Sequence, residues 1–572
     1  MSYKEKIQSE ILKAIETFPA EGEARSPHFA SEAGQRRHEM PLLERPKFKE
    51  HGDVATNIAM VLAKVQKRNP IDIANEIKEK IKINTNLISH IEVAKPGFIN
   101  FVVSDYVLAE SICEIHKSGE TFGFAKPKSK EKILVEYVSA NPTGDLHIGH
   151  GRQAVIGSCL VNLLSAAGYD VASEFYINDY GEQIQNLSDT AWVIYKKLQG
   201  ETIEWKEDFY PEEIVLPYVQ KIVETYQGKS LDDITLPEKV KHLILDSQKE
   251  LLSSLKVDFN KWFSETSIHE SGAVKDALEK LEKRGFVYES EGATWFKAKE
   301  FGDVRDRVLV RKDQRTTYLL ADIAYHIDKF ERSNFLITIW GADHHGQEVS
   351  LKGGLKALGF DDTKLEIIFV QLVSLKKEGQ EIKMSKRAGT VVTIEEVLND
   401  VGPDAFRYFL IENHPNTRMI FDIDLARKQD KDNPVYYIQY AHARCCSIFR
   451  QVGALPAKGE ARQEPHATPL HPDLFMNLFR ANNEEYAVTK NLILKLLDFP
   501  EEVEQSAVSR SPNRIANYLK DLATDFHQFY TFCRVITKDE KLTNARLGLA
   551  QATKITIANG LKILGISAPE SM

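Results

Sequence analysis

Cysteine is scarce in this chain and is not arranged as a metal site or a disulfide framework. The 572 residues include five cysteines, and no two of them have the spacing of a CxxC motif. Zinc sites and disulfide-rich domains need such paired spacing or a higher cysteine content. We therefore expect no structural metal, and we expect a reducing, cytoplasmic compartment. The cysteines are Cys113, Cys159, Cys445, Cys446 and Cys533.

Long apolar runs and an excess of positive charge are missing as well. No stretch approaches the ~18 apolar residues that a membrane-spanning helix needs, and residues 1–6 lead into a charged amphipathic pattern that is unlike a signal peptide. The net charge is −9 at pH 7, so a nucleic acid would have to bind local Lys/Arg patches. With 42% hydrophobic and 27% charged residues, we expect about three or four globular domains and no membrane partner.

The first 115 residues predict a separate α+β module. After a helical opening, residues 20–48 are polar and contain Gly, Pro and Arg, which predicts an exposed loop. An amphipathic helix is expected next, and a turn at residues 96–97 then leads into a strand. A Lys-rich stretch at residues 126–132 predicts a linker. The apolar face of the amphipathic helix consists of Val54, Ile58, Val61, Leu62 and Val65.

The middle of the chain, residues 116–400, alternates near-continuous apolar runs with helical segments. Such runs are typical of parallel strands that are buried on both faces. Residues 191–298 are instead charged, helical in pattern and rich in Tyr and Trp, which predicts a helical insertion between two halves of one α/β sheet. We interpret this part as a split nucleotide-binding domain. Its strand candidates are residues 133–138, 171–177, 335–340 and 366–375.

The last part of the chain, residues 401–572, carries helical periodicity, and strands are expected to end near residues 401–404. This pattern predicts an α-helical bundle. Residues 454–472 are rich in Pro, Gly and His and predict a loop between two of its helices. The helix candidates are residues 434–450, 474–497, 515–535 and 547–564.

The strongest local motif is SANPTGDLHIGH at residues 139–150, which lies between a buried strand and an apolar helix expected to start near Ala154. A helix N-terminus offers free N–H groups and a partial positive charge to a phosphate. His147 and His150 are about one helical turn apart and can point at the same anion, while Gly149 leaves room for an adenine ring. An isolated HxGH is more often a turn with surface histidines, so the context of the motif decides.

A second motif, KMSKRAGT at residues 383–390, follows a strand-like segment and a polar hairpin. Flexible lysines on a glycine-flanked loop can close on a triphosphate and neutralise the charge that develops as pyrophosphate leaves. A lone Lys/Arg run is usually a solvated loop. Lys383 and Lys386, however, come late in the same α/β domain that carries the histidine pair, which favours the functional interpretation.

With both motifs in this order, the chain resembles the class I aminoacyl-tRNA synthetases, whose HIGH and KMSKS signatures match residues 147–150 and 383–387. Further blocks resemble arginyl-tRNA synthetases in particular. The resemblance implies a multidomain α/β protein with a Rossmann-like parallel-sheet catalytic domain, an N-terminal module that touches the tRNA elbow and a C-terminal helical domain that binds the anticodon. The blocks lie at residues 51–57, 135–144, 318–325, 340–346, 437–444 and 567–572.

The reaction implied by this resemblance joins L-arginine to tRNA(Arg) through an arginyl-adenylate, with Mg2+-bound ATP as co-substrate and with activation that needs bound tRNA. We also expect a monomer. The implied catalytic residues are His147, His150, Lys383 and Lys386. The implied ATP contacts are Gly149, His147, Gly341, Asp343, His345, Met384 and Ser385. The implied arginine contacts are Glu136, Ser139, Asn141, His150, Tyr318, Asp322 and His344, the last at a position where eukaryotic members carry a substrate-contacting glutamine. The tRNA candidates are Tyr437, Tyr440 and Met572.

The chemistry of the arginine side chain favours carboxylates as its partners. A guanidinium presents a planar fork of donors that a carboxylate accepts in bidentate geometry. Glu136 breaks an apolar strand just before the histidine motif, and Asp322 follows Tyr318 by one helical turn. Each residue alone has a simpler interpretation, because a strand Glu is more often at an edge and a helical Asp is more often solvated.

Two other functions fit part of the pattern. A small-molecule nucleotidyltransferase can share the HxGH turn and the parallel sheet, but it does not need the N-terminal module or the helical last third. A synthetase-like binding protein without catalysis would be expected to lose the histidine pair or the motif lysines, and both are present. Among synthetases, the cysteine enzyme usually needs zinc ligands, and the branched-chain enzymes carry an editing insertion larger than residues 191–298.

Overall fold

The computed structural model describes most of the chain. The described residues are 3–16, 41–46, 51–82, 84–127, 131–226, 235–382, 392–453, 470–480 and 482–572. Most of the predicted loop at residues 20–48 and part of the predicted linker at residues 126–132 lie outside these ranges. Within them, no helix combines the length and the apolar character that crossing a membrane requires.

The N-terminal module is an α+β unit built on a three-stranded sheet of order β1-β3-β2. Val54 is not on a helix, as its apolar spacing predicted, but in β1, because its backbone pairs with Phe101 across the sheet. The turn before residue 98 and the strand after it confirm the sequence-based expectation. The elements are α1 (Tyr3–Glu16), β1 (Val54–Thr56), α2 (Ile58–Gln66), α3 (Pro70–Lys80), β2 (Ile88–Ala94), β3 (Phe98–Val103) and α4 (Asp105–Ser118).

The central domain is built on a five-stranded, wholly parallel sheet of order β11-β10-β4-β5-β6. The predicted parallel sheet is therefore confirmed. In chain order it begins with β4 (Lys132–Glu136), α5 (Ile148–Ala166), β5 (Asp170–Ile177), α6 (Glu182–Leu198), α7 (Glu212–Tyr226), α8 (Thr235–Ser254) and β6 (Lys261–Ser264). It continues with α9 (Glu265–Glu270), α10 (Ala273–Lys283), β7 (Val287–Ser290), β8 (Ala293–Phe296), β9 (Arg307–Val310), α11 (Tyr318–Arg332), β10 (Phe335–Gly341), α12 (Glu348–Ala357) and β11 (Leu365–Val370).

The segment at residues 191–298 is not wholly helical, which corrects the sequence-based expectation. Helices α6 to α8 fit it, but β6 is the edge strand of the parallel sheet, paired with β5, and β7 and β8 belong to a separate antiparallel sheet with β9. Strand β6 has only four residues, too short to show a period. Its pairing with β5 is a long-range contact that local pattern cannot reveal.

The predicted strand at residues 366–375 is two strands that belong to different sheets. Strand β11 ends at Val370, and after Gln371 and Leu372 the chain enters β12 (Val373–Lys377), which pairs with β13 (Gln380–Ile382) and β14 (Met419–Asp422). The expectation that strands end near residues 401–404 is therefore wrong. Strand β14 is four residues long and lies between helices, so the helical pattern of its neighbours dominates the sequence there.

The last part of the chain is a helical bundle, and the predicted fold class is confirmed. The candidate at residues 474–497 is broken, since the side chain of Asn482 accepts from Glu485 N and caps a new helix there. The elements are α13 (Ile394–Val401), α14 (Pro403–Ile411), α15 (Ile423–Ala426), α16 (Pro434–Gln451), α17 (Pro472–Phe475), a 3-10 turn (Met476–Arg480), α18 (Asn483–Leu497), α19 (Phe499–Val508), α20 (Asn513–Phe532) and α21 (Glu540–Leu564).

Arg407 joins the helical bundle to the central domain. Its side chain is fully buried on α14, and its guanidinium donates to Leu564 O at 2.8 Å and to Leu255 O at 2.7 Å. The same group donates to Ser158 Oγ at 2.9 Å on α5. Gly565 follows with φ +66°, and a Cβ there would lie 2.5 Å from the guanidinium. The end of α21 is therefore held against α5, the helix that carries the histidine motif.

The N-terminal module also packs against the helical bundle. Lys490 Nζ lies 2.8 Å from Asp53 Oδ2 in a mostly buried ion pair, and the Tyr486 hydroxyl donates to Asp105 Oδ1 at 2.8 Å. His116 Nε2 lies 2.7 Å from Gly548 O. The two ends of the chain are thus in contact, and the central domain is connected to both.

Candidate functional site

The histidine motif forms the first turn of α5, at the carboxyl edge of the parallel sheet. The helix begins at Ile148, so the predicted start near Ala154 is wrong. Two glycines in the first turn and a histidine cap hide the start from a pattern search, because glycine disfavours helix and Ser, Thr, Asp or Asn are the usual caps. His147 Nδ1 accepts from Gly149 N at 3.1 Å, and His150 Nδ1 accepts from His147 N at 3.3 Å. Both rings therefore lie at a helix N-terminus.

The two histidine rings stack on each other, and the glycines around them make the arrangement possible. The ring centroids of His147 and His150 are 3.8 Å apart. A Cβ on Gly149 would lie 2.9 Å from His147 Cε1, and a Cβ on Gly151 would lie 2.9 Å from Phe406 Cζ. In this structure the missing side chain of Gly149 makes room for the His147 ring.

The lysine motif lies outside the described residues, including Lys383, Met384, Ser385 and Lys386. Its two flanks are described. Strand β13 ends at Ile382, and on the other side Thr393 pairs with His147 in an isolated antiparallel bridge, while Ile394 N donates to Leu146 O at 3.0 Å. The chain therefore returns from the lysine motif directly beside the histidine motif.

The backbone between β4 and the histidine motif is strained. Val138 has φ +75° and Ser139 has φ +47°, a region that a β-branched residue rarely adopts and that costs on the order of 1–3 kcal/mol per residue. This turn brings Ser139 Oγ to 2.7 Å from Glu136 Oε1. In the amide orientation that satisfies both groups, Gln153 donates to Val138 O at 3.1 Å and accepts from Gly341 N at 3.2 Å. Strain of this kind is typical of functional sites.

Glu136 lies at the end of β4 and is already engaged within the protein. Glu136 is 5% exposed, and its Oε2 atom lies 2.6 Å from Lys329 Nζ in a buried ion pair. With Ser139 on Oε1, both carboxylate oxygens have a partner. Sequence reasoning missed Lys329, which is 193 residues away in the chain.

Asp322 lies one helical turn into α11, near enough to Glu136 for the two charges to interact. Burial, together with the charges of Glu136 and Glu265, raises the pKa of Asp322 to about 8, while Lys329 acts in the opposite direction. Tyr318, at the first position of α11, is 64% exposed. Of the two predicted carboxylates, Asp322 is therefore the one whose negative charge is less compensated by a neighbouring cation.

Two further polar side chains that sequence reasoning missed face this region. Glu265 is 4% exposed at the start of α9, and Tyr176 is 5% exposed on β5. Neither Glu265 Oε2 nor the Tyr176 hydroxyl has a hydrogen-bond partner among the described residues. The negative charges of Glu265, Asp322 and Glu136 all raise the pKa of Tyr176 after its burial does. We call the group of Glu136, Tyr176, Glu265 and Asp322, in which burial and then the negative charges raise the pKa values of Tyr176 and Asp322, the acidic pocket.

An acidic pocket with unsatisfied oxygen atoms can accept a cation that carries several N–H donors. Buried polar atoms are nearly always hydrogen-bonded, so an orphaned carboxylate oxygen and a hydroxyl call for a ligand. A guanidinium supplies five donors and a charge of opposite sign. The strands that end here are neighbours in the order β10-β4-β5-β6, and open parallel sheets bind ligands at this edge.

The remaining sequence candidates of the central domain lie around the same edge. Asn141 Nδ2 donates to Asn178 O at 3.2 Å, beside the end of β5. Gly341 ends β10, and a 3-10 turn (Ala342–Gln347) follows it. Asp343 and His344 are exposed there, and the His345 ring stacks on Phe369 at 3.6 Å. In the described part of the chain, no three His, Cys, Asp or Glu side chains are grouped as a metal site would require.

The tRNA candidates lie on the helical bundle. Tyr437 and Tyr440 on α16 lie 4.6 Å and 5.7 Å from the His527 ring of α20, measured between centroids. The Arg444 guanidinium lies 4.9 Å from the Tyr440 ring, and Met572 is 52% exposed. The surface therefore combines partly buried aromatic rings with a cation, a chemistry that suits unstacked bases. Sequence reasoning missed His527, because it is on another helix.

Comparisons with known proteins cover the chain from end to end. Residues 2–103 match a family model described as the arginyl tRNA synthetase N terminal domain. Residues 112–431 match the tRNA synthetases class I (R) catalytic domain, and residues 438–572 match the DALR anticodon binding domain. Together the three matches account for the N-terminal module, the parallel-sheet domain and the helical bundle.

Individual relatives agree with the family models. The arginine--tRNA ligase of Staphylococcus epidermidis is 41% identical, over 93% of this chain and 94% of the relative. The arginine--tRNA ligase of Citrifermentans bemidjiense is 41% identical, over 100% of both chains. The solved arginyl-tRNA synthetase of Thermus thermophilus shares the fold with a TM-score of 0.71 at 23% identity, over 100% of both chains. The chain therefore belongs to the arginyl-tRNA synthetase family of class I aminoacyl-tRNA synthetases.

Proposed function

We propose that this chain joins L-arginine to tRNA(Arg) in two steps, through an arginyl-adenylate. In the first step the arginine carboxylate attacks the α-phosphorus of Mg2+-bound ATP and pyrophosphate leaves. In the second step the arginyl group passes to the terminal ribose of tRNA and AMP is released. The observation that carries the proposal is the acidic pocket, because Glu265 Oε2 and the Tyr176 hydroxyl have no hydrogen-bond partner in the part of the chain that the structure describes and suit a cationic, donor-rich side chain.

The proposal assigns the guanidinium to the acidic pocket and the reacting end of arginine to the turn that precedes α5. Asp322 and Glu265 accept from the guanidinium, with Tyr318 at the mouth of the pocket. Ser139, Asn141 and His150 hold the α-amino and carboxylate end. Positioning and charge stabilisation suffice for both steps, so no covalent enzyme nucleophile is needed.

ATP is proposed to bind at the histidine motif, at the lysine motif and at the turn after β10. His147 and His150, at a helix N-terminus, suit the developing negative charge on phosphate. Gly149, Gly341, Asp343 and His345 are the proposed contacts of the adenosine part, and His344 is a proposed arginine contact. Mg2+ comes with the triphosphate as part of the substrate. Lys383, Met384, Ser385 and Lys386 are proposed from the motif alone.

The outer parts of the chain are proposed to bind tRNA. The N-terminal module, with a boundary near residue 115, would contact the tRNA elbow, and the helical bundle after residue 400 would bind the anticodon with Tyr437, Tyr440 and Met572. Aromatic rings stack on unpaired bases with about 1–3 kcal/mol per base. We further propose a monomer in the cytoplasm without a structural metal.

Arginine-dependent exchange of pyrophosphate into ATP is expected only when tRNA is present, and the protein is expected to charge tRNA with arginine. The measurement is exchange with and without tRNA, with lysine and citrulline as matched controls. Citrulline has the shape of arginine without its charge, so it should not be activated. Exchange with arginine at full rate in the absence of RNA would refute tRNA dependence, and efficient charging with another amino acid would refute the proposed substrate.

Lys386→Ala is expected to lower the rate of adenylate formation by on the order of 10²-fold, with little change in the KM for ATP. The reason is that a mobile lysine meets the pyrophosphate mainly as the α-phosphorus bond breaks, so its loss affects the transition state more than the ground state. Rapid-quench adenylate formation at saturating ATP, with arginine and tRNA present, measures this. Lys377→Ala, on β12, is the matched control, and a normal Lys386→Ala rate would contradict the assignment.

A further inference from the structure

Gln248 is a buried glutamine on an otherwise apolar face of α8. Helix α8 buries every fourth residue along one stripe, and Gln248 is the polar member of this stripe, with 2% of its surface exposed. A buried amide costs stability unless its polar atoms find partners, whereas an apolar residue would simply continue the stripe. The reason for a glutamine therefore lies outside α8. The stripe consists of Leu236, Val240, Ile244, Gln248 and Leu252.

The partners of Gln248 are two carbonyl groups in the turn that precedes the histidine motif. Its Nε2 donates to Gly144 O at 2.8 Å and to Asn141 O at 3.1 Å. Because both partners are acceptors, they fix the orientation of the amide. The Oε1 atom of Gln248 has no hydrogen-bond partner in the part of the chain that the structure describes. Among those residues, the two donated bonds are what compensates the burial of this side chain.

The same turn is held a second time by the end of β5. Asn141 Nδ2 donates to Asn178 O at 3.2 Å, and Asn178 N donates to Ala140 O at 3.2 Å. Gly144 passes close to the insertion, since a Cβ there would lie 3.2 Å from Ile214 Cγ2 on α7. The backbone from residue 140 to residue 144 is therefore fixed between the parallel sheet and the helices of the insertion.

Helix α8 is itself anchored in two parts of the protein. Val240 and Ile244 pack in an apolar cluster with α6 and α7, whereas Leu252 belongs to the core cluster that includes Ile148 of α5. Gln248 lies between these two anchors. A side chain on a rigid helix holds its partner more accurately than a side chain on a loop does, so α8 is suited to fix the turn.

We propose that Gln248 is a positioning residue for arginine, because it fixes the backbone of Asn141 and thereby the side chain that holds the α-amino and carboxylate end of the substrate. The inference rests on the proposed function, which assigns this end of arginine to Asn141. The proposed guanidinium acceptors Glu265 and Asp322 lie on α9 and α11 and do not depend on the turn. Loss of Gln248 should therefore weaken the recognition of one end of arginine and leave the other end unchanged.

The test compares Gln248→Met with the wild type in charging of tRNA at saturating ATP and tRNA, with rates counted per active site. Methionine keeps the length of the side chain and continues the apolar stripe, but it donates to neither carbonyl. The kcat/KM for arginine should fall by on the order of 10²-fold, as when a change away from the chemistry misplaces the substrate, and the KM for ATP should stay near its wild-type value. Lys249→Met is the matched control, because Lys249 is the next residue of α8 and pairs with the partly exposed Asp246. It should leave the kinetics of arginine unchanged.

Butylguanidine distinguishes positioning from a general loss of the site. This probe keeps the guanidinium and has neither an α-amino group nor a carboxylate, so it lacks the groups assigned to Asn141. Its inhibition constant against arginine should be the same in Gln248→Met as in the wild type. A rise in this constant as large as the fall in kcat/KM would mean that the whole site is disrupted, and it would overturn the inference. A purely structural role would lower the amount of active protein with no change in either constant, which overturns the inference too.

A double-mutant cycle with Asn141→Ala tests the route of the effect. If Gln248 acts through Asn141, Gln248→Met should change the kcat/KM for arginine little in the Asn141→Ala background, whereas independent effects would multiply and contradict the inference. If Gln248→Met does not fold, Gln248→Glu, which has the same shape and lacks both N–H donors, replaces it in each comparison. Absence of arginine charging by the wild type would overturn the proposed function, whereas normal arginine kinetics in the Gln248 variant would overturn this inference alone.

Discussion

Asp322→Asn is expected to lower the kcat/KM for arginine. The loss should correspond to about 2–5 kcal/mol of transition-state stabilisation, as when one partner of a buried charge pair is removed. The substitution keeps the volume of the side chain but presents an amide donor to a substrate that is itself rich in donors. The loss should grow with pH up to about pH 8, because the raised pKa of Asp322 means that the wild type must release a proton before it can pair at lower pH. The KM for ATP should barely change.

Asp328→Asn is the matched control for this prediction. Asp328 lies on the same helix, α11, and pairs with Arg332 on its outer face, so its neutralisation should cost at most about 1 kcal/mol of stability and no arginine specificity. Steady-state charging of tRNA at several pH values measures both variants. Wild-type kinetics for arginine in Asp322→Asn would exclude Asp322 from the guanidinium contacts and leave Glu265 and Glu136 as the acceptors.

Arg407→Met is expected to destabilise the protein by about 3–5 kcal/mol, the second large effect. The variant keeps much of the apolar stem but leaves the carbonyl groups of Leu564 and Leu255 and the Ser158 hydroxyl without their donor, and each unsatisfied buried group costs about 1–3 kcal/mol. Urea unfolding followed by circular dichroism, together with hydrogen exchange at the last turn of α21, measures the loss and its location.

Arg514→Met provides the control, because Arg514 is a partly exposed arginine paired with Glu502 on the surface of the bundle and should contribute less than about 1 kcal/mol. If exchange at the end of α21 is as slow in Arg407→Met as in the wild type, the contacts of Arg407 do not hold the bundle against α5.

Sequence reasoning succeeded for elements whose signal is local and long. The helix at Pro434–Gln451 and the strands Asp170–Ile177 and Phe335–Gly341 agree closely with their candidates, because each shows its period over many residues. Sequence reasoning failed for short strands that form only because they pair with a strand far away in the chain. Lys261–Ser264 and Met419–Asp422 are strands because a partner strand satisfies their backbone, and the break between Leu365–Val370 and Val373–Lys377 depends on two different sheets.

The same division applies to the candidate site. The histidine motif and Asp322 were found because motif spacing and residue type are visible in one stretch of sequence. Lys329, Glu265 and Tyr176 were missed, since each acts through groups from distant elements and none interrupts an obvious pattern. Glu136 was identified, but its ion pair with Lys329 could not be foreseen. Because of this pair, Glu136 is not an open acceptor for a ligand but a carboxylate already bound within the protein.

The contact between Arg407 and the end of α21 also bears on how this architecture can be recombined. Domains that are exchanged as modules usually meet through exposed, polar interfaces, but here the buried Arg407 guanidinium donates both to Leu564 O at the end of α21 and to Leu255 O of the central domain, and Gly565 has no side chain where the guanidinium passes. A chimera that takes its anticodon-binding part from a relative must therefore keep a glycine at position 565 and a matching end of α21 opposite Arg407. A fragment cut after residue 431 would leave Arg407 without its Leu564 acceptor in an opened apolar face, and we expect it to aggregate.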